Sequence, residues 1–228
     1  MALILCIETS TTSCSIALAK NGQVIALKEN NEGLNHSVLA APYVEEILKE
    51  YNIEVENLDA VAVSMGPGSY TGLRIGVSLA KGLCYGANIP LISIPTLQAL
   101  TINAAAKVND PEALYIPMID ARRMEVYSAV CKANGEQITD TEAIIVEPNF
   151  YEEHIKKGEV YLFGNGSAKT KEILTSPNIH FIDNIETSAI GCAPIAERKF
   201  KAGEFEDVAY FEPFYLKDFI TTTPKKRL

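Results

Sequence analysis

The chain has 228 residues, 47% of them hydrophobic, enough to build either one large core or two small ones. Its 29 acidic and 20 basic side chains leave a formal net charge of −9, which argues against unaided binding to a polyanion such as RNA. No apolar run approaches the roughly 20 residues needed to span a bilayer, and no basic residue precedes the short N-terminal hydrophobic stretch as in a secretory signal, so a cytoplasmic protein away from membranes is expected.

ILCIETSTTSCSIAL opens the chain as a strand ending in an acid, Glu8, followed by a second strand that runs into a hairpin turn at Asn21 and Gly22 and a third that returns. An amphipathic helix over residues 37–51 follows, with Val44, Ile47, Leu48 and Tyr51 on one face and Asn35 or Ser37 able to cap it. Pro42 falls about one turn inside, where a slight kink is expected. Residues 61–65 read as a buried strand, and Gly66, Pro67 and Gly68 make a sharp turn into a helix over 71–85. Within that helix Gly72, Gly76 and Ala80 recur every fourth residue and form a smooth stripe. Each interior glycine costs roughly 1 kcal/mol relative to alanine, and close packing of another backbone is the natural compensation. With that stripe against the sheet, Leu73, Arg74, Val77 and Lys81 are expected to face outward, a mixture that suits a protein interface. The glycine turn has a phosphate-cradle layout, but Tyr70 and Thr71 precede Gly72 and Leu73 follows it, where a P-loop would place Lys and Ser/Thr. A plain tight turn and a cradle therefore both stay open. A strand at 91–94 and a helix opened by Pro95 and Thr96 complete this half.

Written over the middle of the chain, the opening repeats at an offset of about 112 residues. ILCIETSTTSCSIALAKNGQVI aligns with IPMIDARRMEVYSAVCKANGEQI, so that Glu8 matches Asp120 and the Asn/Gly turn recurs at Asn134 and Gly135. The halves divide at residues 107–112, giving an expected first lobe of 1–107 and a smaller second lobe of 108–228 whose last segment returns to the first. The second half is expected to carry strands at 114–119, 125–131 and 137–147, a short helix at 150–156, and a strand at 160–163. A repeat of the glycine turn and helix at Gly164, Asn165 and Gly166 follows, then a last helix at 188–202. Cys6, Cys14, Cys84, Cys131 and Cys192 are odd in number and without a CxxC pair, as free buried thiols would be. Lys225, Lys226 and Arg227 form a basic tail best read as solvated and without function.

These three segments, ILCIETSTTSCSIAL, LDAVAVSMGPGSYTGLRIGVSLAKGLCYG and IPMIDARRMEVYSAV, together resemble the TsaB (YeaZ) family, closely over residues 3–130 and loosely beyond. The resemblance implies an α/β fold of two RNase H-like lobes, as in the actin, sugar kinase and Hsp70 ATPase superfamily, with nucleotide phosphates held between the lobes by hairpins of the form DxGxT. This chain departs from that form. Glu8, Thr9 and Ser10 stand in the first hairpin and Asp120, Ala121 and Arg122 in the second, so a side chain replaces glycine where a phosphate would approach the backbone. Glu8 and Asp120 are the pair that would hold magnesium through water, unless they only bond the ends of their own hairpins. A related family once described as a glycoprotease carries HxxxH. Here His36 is followed four residues on by Ala40, which removes the second ligand of a metallopeptidase and leaves His36 a helix-entry or interface role. There is no GxSxG elbow, and no cysteine has an adjacent histidine.

The resemblance further implies a non-catalytic activating subunit with no intrinsic cofactor, ATP and magnesium binding only in the complex. Such a subunit pairs with TsaD, in a machinery that includes the ATPase TsaE, to move a threonylcarbamoyl group onto N6 of the adenosine 3′ of the tRNA anticodon. It touches tRNA only through that complex and forms a homodimer when alone. The surface expected to carry this is the pair of N-terminal helices, at His36, Leu39, Tyr43, Tyr70, Leu73, Arg74, Gly76, Val77 and Lys81. An ATP-dependent phosphotransferase using the cleft is the alternative reading.

Overall fold

A computed structural model describes residues 2–33 and 35–217, so the basic cluster at Lys225 lies outside the described residues. The first half begins with β1 (Leu3–Glu8), β2 (Cys14–Lys20) and β3 (Gln23–Asn30), an antiparallel meander. It continues through α1 (His36–Glu50), β4 (Ala60–Gly66), α2 (Tyr70–Ala87), β5 (Leu91–Pro95) and α3 (Thr96–Val108). The sheet order is β3-β2-β1-β4-β5, with β4 and β5 parallel to β1, the order of an RNase H-like sheet.

Both faces of this sheet are covered, which is why β1 and β4 read as unbroken apolar runs. On one face Leu5, Ile7, Val61 and Val63 pack against Val44, Ile47 and Leu48 of α1 and Val77, Ala80 and Cys84 of α2. The other face mixes small side chains, Cys6, Ala17, Ala60 and Ala62, with Ile4, Ile92 and Ile94, and meets Ala99 of α3 together with Ala189, Cys192, Ala193 and Ala196. Those last four belong to the final helix of the chain, which crosses back to close the first sheet. It approaches α3 so tightly that a Cβ at Gly191 would lie 2.1 Å from the Ala99 carbonyl oxygen.

The second half carries β6 (Leu114–Asp120), β7 (Glu125–Ser128), β8 (Cys131–Lys132), β9 (Glu142–Ile145), α4 (Glu152–Ile155), β10 (Val160–Phe163), β11 (Ile179–Ile182) and α5 (Ala189–Ala202). Its sheet runs β11-β10-β6-β7-β9 with β8 also on β6, the same strand order as the first in a reduced form. Leu97, Leu100 and Ala104 of α3 pack on Tyr115 and Phe163, so α3 serves both halves.

Three expectations for this half are corrected. The strand expected at 125–131 breaks after Ser128, because Val130 turns its N–H to the Thr139 hydroxyl (2.9 Å) and accepts from Ile138 N–H (2.7 Å). The returning strand is thereby shortened to β9. After Gly166 a single 3-10 turn, Ala168–Thr170, replaces the expected helix, and β11 follows where no strand was expected. At the start of α1, Asn35 is the N-cap position but its side chain makes no capping bond.

Candidate functional site

Where the two central strands end, the halves enclose a cleft of about 480 Å³. Its walls include Ser10, Thr12 and Ser69 from the first half and Asp120, Arg122 and Asn165 from the second. The N-terminus of α2 opens onto it.

The hairpin that follows β1 is wedged rather than open. Three glycines clear the space for it: a Cβ would lie 2.2 Å from Ser10 O at Gly68, 2.1 Å from Thr9 O at Gly72 and 2.2 Å from Thr9 Oγ1 at Gly76. Ser69 N–H donates to Ser10 O (2.6 Å) and the Thr9 hydroxyl to Gly72 O (2.8 Å). The compensation expected for the interior glycines is therefore found within the chain, as contact with its own first hairpin. One backbone donor of that hairpin is also engaged: Ser10 N–H donates to Glu8 Oε1 (2.6 Å), which also accepts from the Ser64 hydroxyl (2.9 Å).

Glu8 is fully buried and does not line the cleft. Desolvation raises its pKa above the ordinary carboxylate value, against the opposing effect of the bonds from Ser10 and Ser64. Its Oε2 and the Ser10 hydroxyl have no partner among the described residues. Thr9 is likewise buried. Of the five cleft residues singled out from the sequence, Ser10, Asp120 and Arg122 meet at the walls, while Glu8 and Thr9 point into the protein. Glu8 and Asp120 accordingly do not form a shared pair of metal-facing carboxylates.

The second hairpin is exposed by comparison. Asp120 pairs with Lys169, whose ammonium also donates to Glu125 O (2.7 Å), and Asp120 N–H donates to Asn165 Oδ1 (2.9 Å). Arg122 and Arg123 both hold positive φ, 75° and 51°, an unusual conformation for two successive non-glycine residues. Lys169 was not anticipated from the sequence; its signal was only its place one short turn after Gly166.

The α1 and α2 surface also differs from expectation. Arg74 is exposed, and Leu39, Tyr43, Tyr70 and Lys81 are half-buried. Leu73, Gly76 and Val77, however, are buried in the chain itself, because the side of α2 that meets the hairpin and sheet is broader than the glycine stripe alone. His36 is buried as well, and its Nε2 lies 3.0 Å from Ser13 O. A carbonyl only accepts, so Nε2 carries the proton and is not free to ligate a metal. Lys81 donates to Ala209 O (3.2 Å) and Phe211 O (2.9 Å). The outward face of α2 is instead Arg74, Ser78, Gly82, Tyr85 and Gly86, with Tyr85 85% exposed and nothing within 4 Å of a Cβ at either glycine. On α1, Val38 is 67% exposed. The four-residue spacing of Ser78, Gly82 and Gly86 was as visible in the sequence as that of Gly72 and Gly76; which stripe faces inward depends on where the hairpin lies.

All five cysteines are free and buried. Burial pushes the Cys6 thiol up to about 12 and those of Cys14, Cys84 and Cys131 up to about 11, far from the thiolate a nucleophile requires. Among the described residues no group of three or more His, Cys, Asp or Glu is placed to hold a metal ion, and no helix is long and apolar enough to cross a membrane.

Comparison with known proteins places these features in a family. A family model described as TsaD, tRNA N6-adenosine threonylcarbamoyltransferase, matches residues 30–218. The Escherichia coli (strain K12) tRNA threonylcarbamoyladenosine biosynthesis protein TsaB is 32% identical over 222 residues, 94% of each chain. Its Bacillus subtilis (strain 168) namesake is 36% identical over 146 residues, covering 63% of this chain and 62% of the relative. A Pseudomonas aeruginosa crystal structure, described as an uncharacterized protein with similarity to peptidase YeaZ, superposes with a TM-score of 0.85 at 23% identity. The match covers 95% of this chain and all of that one (100%), and shows the shared fold. The chain therefore belongs to the TsaB (YeaZ) family and carries a TsaD-type domain.

Proposed function

We propose that the chain acts in threonylcarbamoyladenosine formation on tRNA as a non-catalytic activating subunit that pairs with a TsaD-family protein through the outer faces of α1 and α2. The observation that carries this reading is the open α2 face, where Gly82 and Gly86 leave hollows beside the exposed Tyr85. An aromatic knob beside glycine hollows suits close packing against helices of another chain. Because the chain carries a TsaD-type domain, the two surfaces can meet in a quasi-symmetric way, and a second copy of the chain is the default occupant when the partner is absent.

The cleft supports the non-catalytic part of the reading. Its first hairpin donates Ser10 N–H to Glu8 of the same chain rather than presenting it to a phosphate, so ATP and magnesium are assigned to the assembled complex with TsaD and TsaE. The net charge of −9 supports a reading in which tRNA is bound by the partner.

Co-purification with a TsaD-family subunit, followed by modification of unmodified tRNA with and without this chain, tests the proposal. Gly82→Leu is expected to leave the lone chain folded while abolishing assembly and modification. Full assembly by that variant would overturn the α2 docking face. Magnesium-dependent ATP turnover by the lone chain, lost in Asp120→Asn, would replace the subunit reading with a phosphotransferase.

A further inference from the structure

Beyond α5 the chain returns over α2 and then across the cleft. Phe211 is buried in the core beside α2, and the Lys81 ammonium holds the carbonyls on either side of Tyr210. After Pro213 the anchoring changes character. Phe214 N–H donates to Met65 O (2.7 Å), and Phe214 O sits where a Cβ at Gly66 would be only 2.6 Å away. The Tyr215 ring lies 4.8 Å from that of Tyr70. Lys217 then reaches the second half, pairing with Glu125 and lying 5.8 Å over the Tyr127 ring. Residues 214–217 all line the cleft and join its two sides.

Tyr70 connects this segment to the outer face of α2. Arg74 donates from Nη1 to the Tyr70 hydroxyl (2.9 Å), and its guanidinium carbon lies 5.3 Å from the ring centroid. Tyr70 is thus engaged both by the segment across the cleft and by an arginine exposed on the helix face.

We propose that residues 214–217 are a detachable strap that spans the cleft mouth and, through Tyr215 against Tyr70, holds Arg74 in the orientation presented to a partner. Tyr215 is a positioning residue in this arrangement. The strap is suited to release because Phe214 and Tyr215 remain 41% and 37% exposed and Lys217 rests on a partly exposed ion pair, an interaction that contributes little alone. Phe211 stays anchored, which makes Glu212 and Pro213 the pivot. Release of the strap opens the cleft and withdraws Tyr215 from Tyr70 together, coupling the two surfaces. The coupling to a partner rests on the docking face proposed above; the strap itself does not.

Hydrogen exchange on the full-length lone chain, read at residues 65–74 and 120–127, tests the strap. Tyr215→Ala and Lys217→Glu should raise exchange in both segments, Tyr215→Phe should match the parent, and combining Lys217→Glu with Glu125→Lys should restore protection. Unchanged exchange in both Tyr215→Ala and Lys217→Glu overturns the strap, whatever the partner does. Affinity for a purified TsaD-family subunit tests the relay: Arg74→Ala and Tyr215→Ala should each weaken it by about fivefold or more, with Tyr215→Phe unaffected. Weakening by Arg74→Ala but not by Tyr215→Ala overturns the relay and leaves the docking face standing. Full affinity in Arg74→Ala overturns the relay and removes Arg74 from the docking face, while the exchange result still decides the strap.

Discussion

The hairpins after β1 and β6 begin from matching sequence positions and end in different environments. Behind the first, the glycine turn at Gly66 to Gly68 leads into an 18-residue helix, and Gly72 and Gly76 of that helix press against Thr9. The second has the same turn, with Gly164 at φ 94° and Gly166 packed on the end of β6, but only a 3-10 turn follows. Its hairpin is left to an ion pair and a pair of left-handed arginines. A glycine turn therefore fixes where the chain reverses; the length of helix behind it decides whether the facing hairpin is buried or accessible.

The sharpest way to break this comparison is Gly72→Ala. The new Cβ would meet the Thr9 carbonyl at 2.1 Å, and backbone cannot yield as a side-chain tip can, so a loss of about 3 kcal/mol or more is expected in urea unfolding. Parental stability would mean the hairpin is not wedged. Next comes Glu8→Ala, which removes the acceptor of Ser10 N–H and the Ser64 hydroxyl and should cost about 1–3 kcal/mol.

Glu8→Gln refines that test by pH. The folded-state pKa of Glu8 is raised above its ordinary value of 4.5, so the native state holds the proton more tightly than the unfolded chain. This contribution is fully present below the ordinary value and is lost as pH rises through the raised one. Melting temperature against pH should therefore fall less steeply above 4.5 in Glu8→Gln than in the parent; parallel curves would show that Glu8 ionises normally. At the exposed hairpin, Lys169→Met should cost under about 1 kcal/mol, with the difference shrinking at high salt. Smallest is Gly82→Ala, with nothing within 4 Å of the new Cβ, where a gain of up to about 1 kcal/mol in the lone chain is expected. A loss there would mean that the outer face of α2 is already covered.

Much of the fold was legible in the sequence where local signals were strong. The boundaries of β10 match residue for residue, and α2 extends only one or two residues beyond the expected 71–85 at either end. The elements that were missed depend on partners outside their own segments. The break between β7 and β8 arises from Thr139 capturing Val130, and β11 owes its existence to pairing with β10. The candidate site was half legible for the same reason: the glycine stripe was visible, but its choice of the Thr9 hairpin, and with it the burial of Leu73, Gly76 and Val77, is a long-range fact. The strap was illegible because no local period marks Phe214 and Tyr215 as a crossing.

The return of α5 to the first sheet has a consequence for biosynthesis. The face formed by Cys6, Ala17, Ala60 and Ala62 is covered by Ala189, Cys192, Ala193 and Ala196, which leave the ribosome only after both sheets have been made. Until then that face is covered only in part, by α3, and closure over so long a sequence separation is slow. A nascent chain stalled before residue 189 is accordingly expected to engage chaperones and resist refolding, whereas one extended past Ala202 folds without help.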